Sequence, residues 1–316
     1  MDLSVLPVTR IPRVLTSGDA DGMVGEVVAS AAANVTTAGL WADEASGEPV
    51  LAYYPMDRQA TTGLRAAVLA VHYGETLRGY SGLRNRSKTF GMSPRRPTHR
   101  RESCRPAGMA YDQPEVHAVI VAMADRLAAD LRAFAPQIAE HDAAVMEQVA
   151  PGWRMSEGAL WTSGVVNKSS TLPYHRDGFN FEAWSAMPVL RRGMTGGHLS
   201  IPEYGLTVGC RDGWVVYFAG WQLLHGVTPM RTTMRDGYRY SIVYYALRGM
   251  KSCFEYAIEV GDARKRRTDR EQGMADEVEG KAPPRMPPGK GIPMGKLAGL
   301  APGGGPASGQ TGQIVV

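Results

Sequence analysis

His175-Arg176-Asp177 sets an imidazole and a carboxylate two residues apart. Side chains alternate along an extended strand, so both would project from one face and one short segment would supply two metal ligands. His225 stands 48 residues past Asp177, just after an apolar run from Trp214 to Phe218 that reads as a strand. Two imidazoles and one carboxylate leave positions open on a metal, the donor set of non-haem iron(II) oxygenases; with a bound water the same three suit a hydrolytic zinc. Fourteen residues beyond His225, Arg239 and Ser241 again alternate onto one face. A guanidinium fork with a neighbouring hydroxyl fits the distal carboxylate of 2-oxoglutarate, and this element tips the reading toward an oxygenase. His72, His99, His117 and His141 fall outside the pattern.

These residues meet only if the chain between them folds back on itself. From Trp153 to about residue 250 the sequence alternates short apolar runs with tight turns, ALWTSGVV, a turn from Asn167 to Ser170, TLPYHRD, GGHLSIPEYGLTVGC, GWVVYFAG and YRYSIVYYAL. Short strands at such spacing predict a barrel or jelly roll, and the fold-back that His225 needs favours the jelly roll. Upstream, Pro114 suits a first helical position, and Val116, Val119, Ile120, Met123, Leu127, Leu131 and Phe134 recur at helical spacing until Pro136. A second helix is predicted from about Gln137 to Val149. The fold class expected is α+β, a double-stranded β-helix with N-terminal helices packed on it.

The remaining segments carry less. Residues 1–82 hold one predicted helix, about Ala60 to Tyr73, and no nameable chemistry. Residues 83–106 carry eight Lys or Arg against one acid, with scattered prolines, and read as an extended basic loop. The dioxygenase-type domain is placed at 83–261. Residues 262–316 begin with DARKRRTDREQG and end in a stretch where 16 of 36 positions from 281 on are Gly or Pro, which predicts a disordered tail.

At 316 residues and 44% hydrophobic composition, the chain has enough apolar content for a sizeable core. Cys104, Cys210 and Cys253 are far apart and form no CxxC pair, so neither a disulfide framework nor a cysteine zinc site is expected, and a reducing, cytoplasmic compartment fits. No segment approaches the roughly 18 uninterrupted apolar residues of a membrane helix.

From about Thr89 to Leu247 the sequence resembles the oxygenase domain of the TET and J-binding-protein family of nucleic-acid base dioxygenases, especially small microbial and viral members. The resemblance rests on TSGVVNKSSTLPYHRDGFNF, GGHLSIPEYGLTV, GWVVYFAG, LLHGVTP and RYSIVYYALR, in that order. It implies Fe(II) held by His175, Asp177 and His225, and 2-oxoglutarate held by Arg239 and Ser241, with O2 as the other co-substrate. Asn167 is similar in placement to an asparagine that helps hold 2-oxoglutarate in AlkB-type repair dioxygenases; a turn role is the alternative. Asn180 matches the final position of H-R-D-x-x-N, which implies contact with a target base. Phe179, Phe181 and Trp184 lie near enough for one of them to stack on it.

The implied activity is hydroxylation of the methyl group of 5-methylcytosine in DNA, on a flipped base. Thymine is the nearest rival substrate, and a protein or small-molecule hydroxylase would carry the same metal residues. The chain lacks the cysteine-rich zinc region of animal TET enzymes, so DNA must be held by other means. Arg95 and Arg96, with Arg100 and Arg101, are the expected phosphate contacts.

Overall fold

The structure, a computed structural model, describes residues 2–73, 86–95 and 102–281. The N-terminal part contributes β1 (Val8–Ile11), α1 (Ser17–Asp21), β2 (Gly39–Asp43), β3 (Pro49–Pro55) and α2 (Arg58–Leu69). Next come β4 (Arg86–Ser93), β5 (Arg105–Pro106), α3 (Gly108–Asp112), α4 (Pro114–Phe134) and α5 (Pro136–Met146). The β-rich half holds β6 (Ser163–Lys168), β7 (Ser185–Arg192), β8 (Met194–Gly196), β9 (Leu199–Ile201), β10 (Leu206–Val208) and β11 (Trp214–Phe218). It closes with β12 (Gly226–Val227), β13 (Met230–Thr232) and β14 (Tyr238–Tyr245), before α6 (Tyr256–Val278). Residues up to Ala263 form one unit, and the remainder a second.

Nine strands make one sheet in the order β1-β2-β3-β11-β7-β14-β6-β4-β5, antiparallel except for β1 with β2. A smaller sheet, β10-β9-β12, faces it. Period-two alternation gives the large sheet two apolar faces. Tyr54, Ala186, Val215, Tyr217, Tyr240, Ile242 and Tyr244 pack with Leu64 and Val68 of α2 and with Ile120, Leu127 and Leu131 of α4. Leu51, Tyr53, Met187, Val189, Val216 and Phe218 point the other way, onto Leu199, Ile201, Leu206 and Val208 of the small sheet. The result is a jelly-roll sandwich backed by helices, the α+β class the sequence predicts. Prolines start both long helices at their first positions, and Asp57 caps α2 by accepting from the Ala60 N–H at 2.8 Å.

Several expectations need correction. The N-terminal residues are not a separate appendage, because β3 pairs directly with β11 in the main sheet. The basic stretch is not a continuous loop: Arg86 to Gly91 pair with β6, Met92 and Ser93 pair with β5, and Phe90 is fully buried. The burial of β4 does not alternate, since only the neighbours Phe90 and Gly91 are buried, so no period-two signal marks it in the sequence. Asn167 lies in β6 rather than in a turn, which comes at Ser169, where φ is +50°. The His175 segment is extended but makes only an isolated bridge with His225, since Pro173 supplies no N–H to lengthen the ladder.

Cys104 and Cys253, 149 residues apart, form a disulfide, because the fold brings the end of the basic stretch against the segment before α6. Sequence distance hid this pairing. The charged segment after Gly261 is helical, as part of α6. The predicted disordered tail from 282 on lies outside the described residues. No helix among the described residues is long and apolar enough to cross a membrane.

Candidate active site

His175, Asp177 and His225 converge. Their ligand atoms all lie within 4.8 Å of one another, with Asp177 3.7 Å from His175 Nε2 and 3.9 Å from His225 Nε2. The convergence is backbone-driven: His175 N–H donates to His225 C=O at 2.9 Å and His225 N–H returns the bond at 3.0 Å. Each imidazole also fixes its own tautomer, as Nδ1 lies 2.9 Å from the carbonyl two residues earlier, Pro173 for His175 and Leu223 for His225. Nδ1 therefore donates, and both Nε2 lone pairs face Asp177, the arrangement a metal requires. Burial, reinforced by the neighbouring His175, lowers the His225 pKa to about 4, so the ring is neutral and ready to ligate near pH 7.

Gly220 is the close-approach residue of this cluster. Its lack of a side chain lets the backbone come so near that an added Cβ would lie 2.7 Å from Asp177 Oδ2, while its carbonyl accepts the Asp177 N–H at 2.9 Å.

Arg176, between the two ligands, turns the opposite way and ties the neighbouring segments together. Its Nε donates to Asp21 at 2.8 Å, its Nη1 to Gln222 C=O, and its Nη2 sits 2.9 Å from Glu203 Oε1. Glu203 is fully buried, and its other oxygen accepts the Leu224 N–H at 2.8 Å. One ion pair thus links the His175–Asp177 segment to the residue preceding His225. The N-terminal segment closes over it, since Glu203 C=O accepts from Val14 and Leu15, and Tyr174 exchanges backbone bonds with Gly25 and Glu26. Sequence reading missed this brace; its only sign was one acid inside the apolar stretch SIPEYGL.

On β14, Arg239 and Ser241 share the face toward the small sheet, opposite the helix-packed Tyr240 and Ile242. Asn167 is the cross-strand partner of Ser241, so the three residues line one patch, and all are buried. Arg239 is 1% exposed, yet among the described residues none of its Nε, Nη1 and Nη2 atoms has a hydrogen-bond partner. Gly197, at φ +67°, leaves the space the side chain occupies, for a Cβ there would lie 2.7 Å from Arg239 Cδ. Arg191, the cross-strand partner of Arg239, is engaged with the Met194 carbonyl at 2.6 Å. Burial, then the charge of Arg239, pulls its pKa below the ordinary arginine value. His198 donates Nδ1–H to Gly209 C=O at 3.0 Å and is held neutral by burial, a structural role that the two arginines reinforce.

A buried, charged and unpartnered guanidinium is expensive unless a ligand neutralises it. The donor set of the triad and this orphaned fork fit Fe(II) and 2-oxoglutarate respectively.

The residues expected at a nucleic-acid substrate separate. Phe181 and Trp184 are buried in apolar clusters, whereas Phe179 is 57% exposed. Asn180 is 5% exposed. Arg95 is ion-paired to the buried Glu259, and its guanidinium carbon lies 4.7 Å from the Phe254 ring centre, so its charge has an intramolecular use. Arg96, Arg100 and Arg101 lie outside the described residues.

No protein-family model matches the sequence, and no curated protein matches it. Solved structures do share its shape. NgTET1 in complex with 5mC DNA superposes with a TM-score of 0.53 at 14% identity, over 82% of this chain and 91% of that one. An oxidoreductase of the 2OG-Fe(II) oxygenase family from Burkholderia pseudomallei is more distant, with a TM-score of 0.44 at 14% identity, over 63% of this chain and 88% of that one. The chain therefore has the fold of NgTET1, spanning nearly the whole of that structure.

Proposed function

We propose that this chain is an Fe(II)- and 2-oxoglutarate-dependent dioxygenase that hydroxylates the methyl group of 5-methylcytosine in DNA. The observation that carries the co-substrate reading is Arg239, a buried fork with no protein partner, on the same jelly roll as a two-histidine, one-carboxylate cluster. His175, Asp177 and His225 would hold the iron. Arg239 and Ser241 would hold the distal carboxylate of 2-oxoglutarate, with Asn167 beside them.

Iron, O2 and 2-oxoglutarate together supply the oxidation of an unactivated C–H bond, with succinate and carbon dioxide as by-products. The residues of the chain supply geometry. The Nδ1 bonds of His175 and His225 keep both rings aimed, and the Arg176–Glu203 pair holds their two segments in register. The buried patch around Arg239 keeps water from competing for the guanidinium, which strengthens its grip on a carboxylate.

DNA as the substrate is supported by the shared fold with NgTET1, a protein solved with 5mC DNA, and by the motifs around His175. A methyl group in a duplex reaches a recessed metal only when its base is turned out of the stack. Arg96 remains a proposed phosphate contact. The test gives the purified protein Fe(II), ascorbate, 2-oxoglutarate and DNA with or without 5-methylcytosine, followed by nucleoside mass spectrometry. Hydroxymethylcytosine is the expected product. Hydroxymethyluracil would transfer the reading to thymine, and neither product on DNA would point to a protein or small-molecule substrate.

A further inference from the structure

The segment after Asp177 forms a ledge whose backbone is bonded throughout. Asp177 C=O accepts from Asn180 N–H at 2.9 Å, and Phe179 C=O accepts from Arg248 N–H at 2.9 Å. The Arg248 guanidinium supplies the remainder, donating to Gly178 C=O at 3.1 Å and to Asn180 C=O at 3.0 and 3.3 Å. Beyond it, Phe181 N–H donates to Ala246 C=O at 2.8 Å, and the Phe181 ring is buried with Ala183, Ala246 and Met250. Every carbonyl from Asp177 to Asn180 therefore has a donor, which fixes the backbone.

On this fixed ledge the side chains divide sharply: Asn180 and Phe181 are buried, and Phe179 is 57% exposed. Its position is two residues past Asp177, whose side chain is the most open of the three candidate ligands, at 27% exposed against 19% for His175 and 7% for His225. An exposed phenylalanine on a mobile loop would be unremarkable surface. Here four bonded carbonyls and one arginine fix the backbone that carries an exposed apolar ring two residues past Asp177.

We propose that Phe179 is a stacking platform for a planar ring of the substrate, and that Arg248 is the positioning residue that holds it there. The inference rests on the nucleobase reading above and deepens it, since every base has a π-face that stacks on an aromatic side chain. A platform already ordered before binding loses little conformational freedom when the ring lands on it. The base-contact role that the sequence suggested for Asn180 thus passes, in part, to its exposed neighbour.

The test is steady-state oxidation of a single-stranded oligonucleotide carrying one 5-methylcytosine, by the full chain loaded with Fe(II) and 2-oxoglutarate. Phe179→Ala is expected to raise KM about 10- to 100-fold, the range of one lost base stack. Its kcat, Mn(II) affinity and thermal unfolding should stay close to the parent, because the ring has few protein neighbours. Phe179→Trp should restore KM. Arg248→Gln should raise KM as well, and less than additively when combined with Phe179→Ala, which a purely structural arginine would not show. If the parent protein oxidises the oligonucleotide and Phe179→Ala keeps its KM within twofold, the platform is wrong and the nucleobase reading stands. If the parent oxidises no oligonucleotide, both are overturned.

Discussion

Arg176 and Arg239 are arginines of one site with opposite surroundings. Arg176 reaches Asp21, Gln222 and the buried Glu203, and each contact joins segments of the protein to one another. Arg239 is more deeply buried and has no protein partner for any side-chain nitrogen among the described residues. The proposed metal end of the site is thus finished by the chain itself, while the proposed co-substrate end is left to be completed by a ligand. The contrast separates scaffold from binding chemistry more cleanly than residue type does, since both are arginines.

The contrast can be broken most forcefully at Glu203. Arg176→Met strands a buried carboxylate and should cost about 3–5 kcal/mol, read as a fall in the urea midpoint together with weaker Mn(II) binding. Arg176→Met with Glu203→Leu should recover much of that stability, as exchange of a whole buried pair for apolar groups usually does. A single variant as stable as the parent would mean that the pair braces nothing.

Arg239→Met should do the reverse. We expect 2-oxoglutarate affinity, measured by calorimetry on Mn(II)-loaded protein, to fall by about 100- to 1000-fold, in line with a lost buried charge-assisted pair. Thermal unfolding of the ligand-free protein should meanwhile rise, because an uncompensated charge leaves the interior. Loss of stability instead would place Arg239 with Arg176 as scaffold.

Asp142 sharpens the comparison as an intermediate case. It is fully buried and accepts the Trp184 N–H at 2.9 Å, and burial raises its pKa to about 6 despite that bond. A carboxyl whose folded pKa exceeds its unfolded value of 3.8 binds protons more tightly in the fold, so stability declines as pH rises from about 4 to about 6. Asp142→Asn should therefore stabilise at pH 7 by about 1–2 kcal/mol and give no gain near pH 4, read from denaturant melts at both pH values. A pH-independent effect would show that the carboxyl is ionised throughout. The smallest change is expected at Asn167→Ala, which should weaken 2-oxoglutarate by about 3- to 10-fold, the worth of one neutral hydrogen bond; unchanged affinity would return Asn167 to sheet structure.

What was legible in the sequence follows the range of the forces involved. The period-two arrangement of Arg239 and Ser241 and the apolar stripe of the long helix are local, and both appear as read, except that Val119 lies off the packed face and is exposed. The convergence of His175 with His225 was inferred from a fold-back that the jelly roll provides. The Arg176–Glu203 brace, the pairing of β3 with β11 and the Cys104–Cys253 bond depend on partners far apart in sequence. β4 was obscured for another reason: its basic residues look like a loop until the sheet buries Phe90 behind them. Arg248 carried no local mark at all, because its task is to bond backbone carbonyls of residues 70 positions away.

The disulfide has a consequence for how the chain would behave once cut. Its sulfurs enclose residues 104 to 253, so every residue assigned to iron or 2-oxoglutarate lies inside one covalent ring, whose closure is worth roughly 5 kcal/mol on chain-entropy grounds. A protease that clips the exposed stretch around Arg235 would put His225 and Arg239 on different fragments. Those fragments would still migrate as one species until a thiol reductant is added, and only then part. Storage with or without dithiothreitol thus decides whether a nicked preparation remains a single molecule.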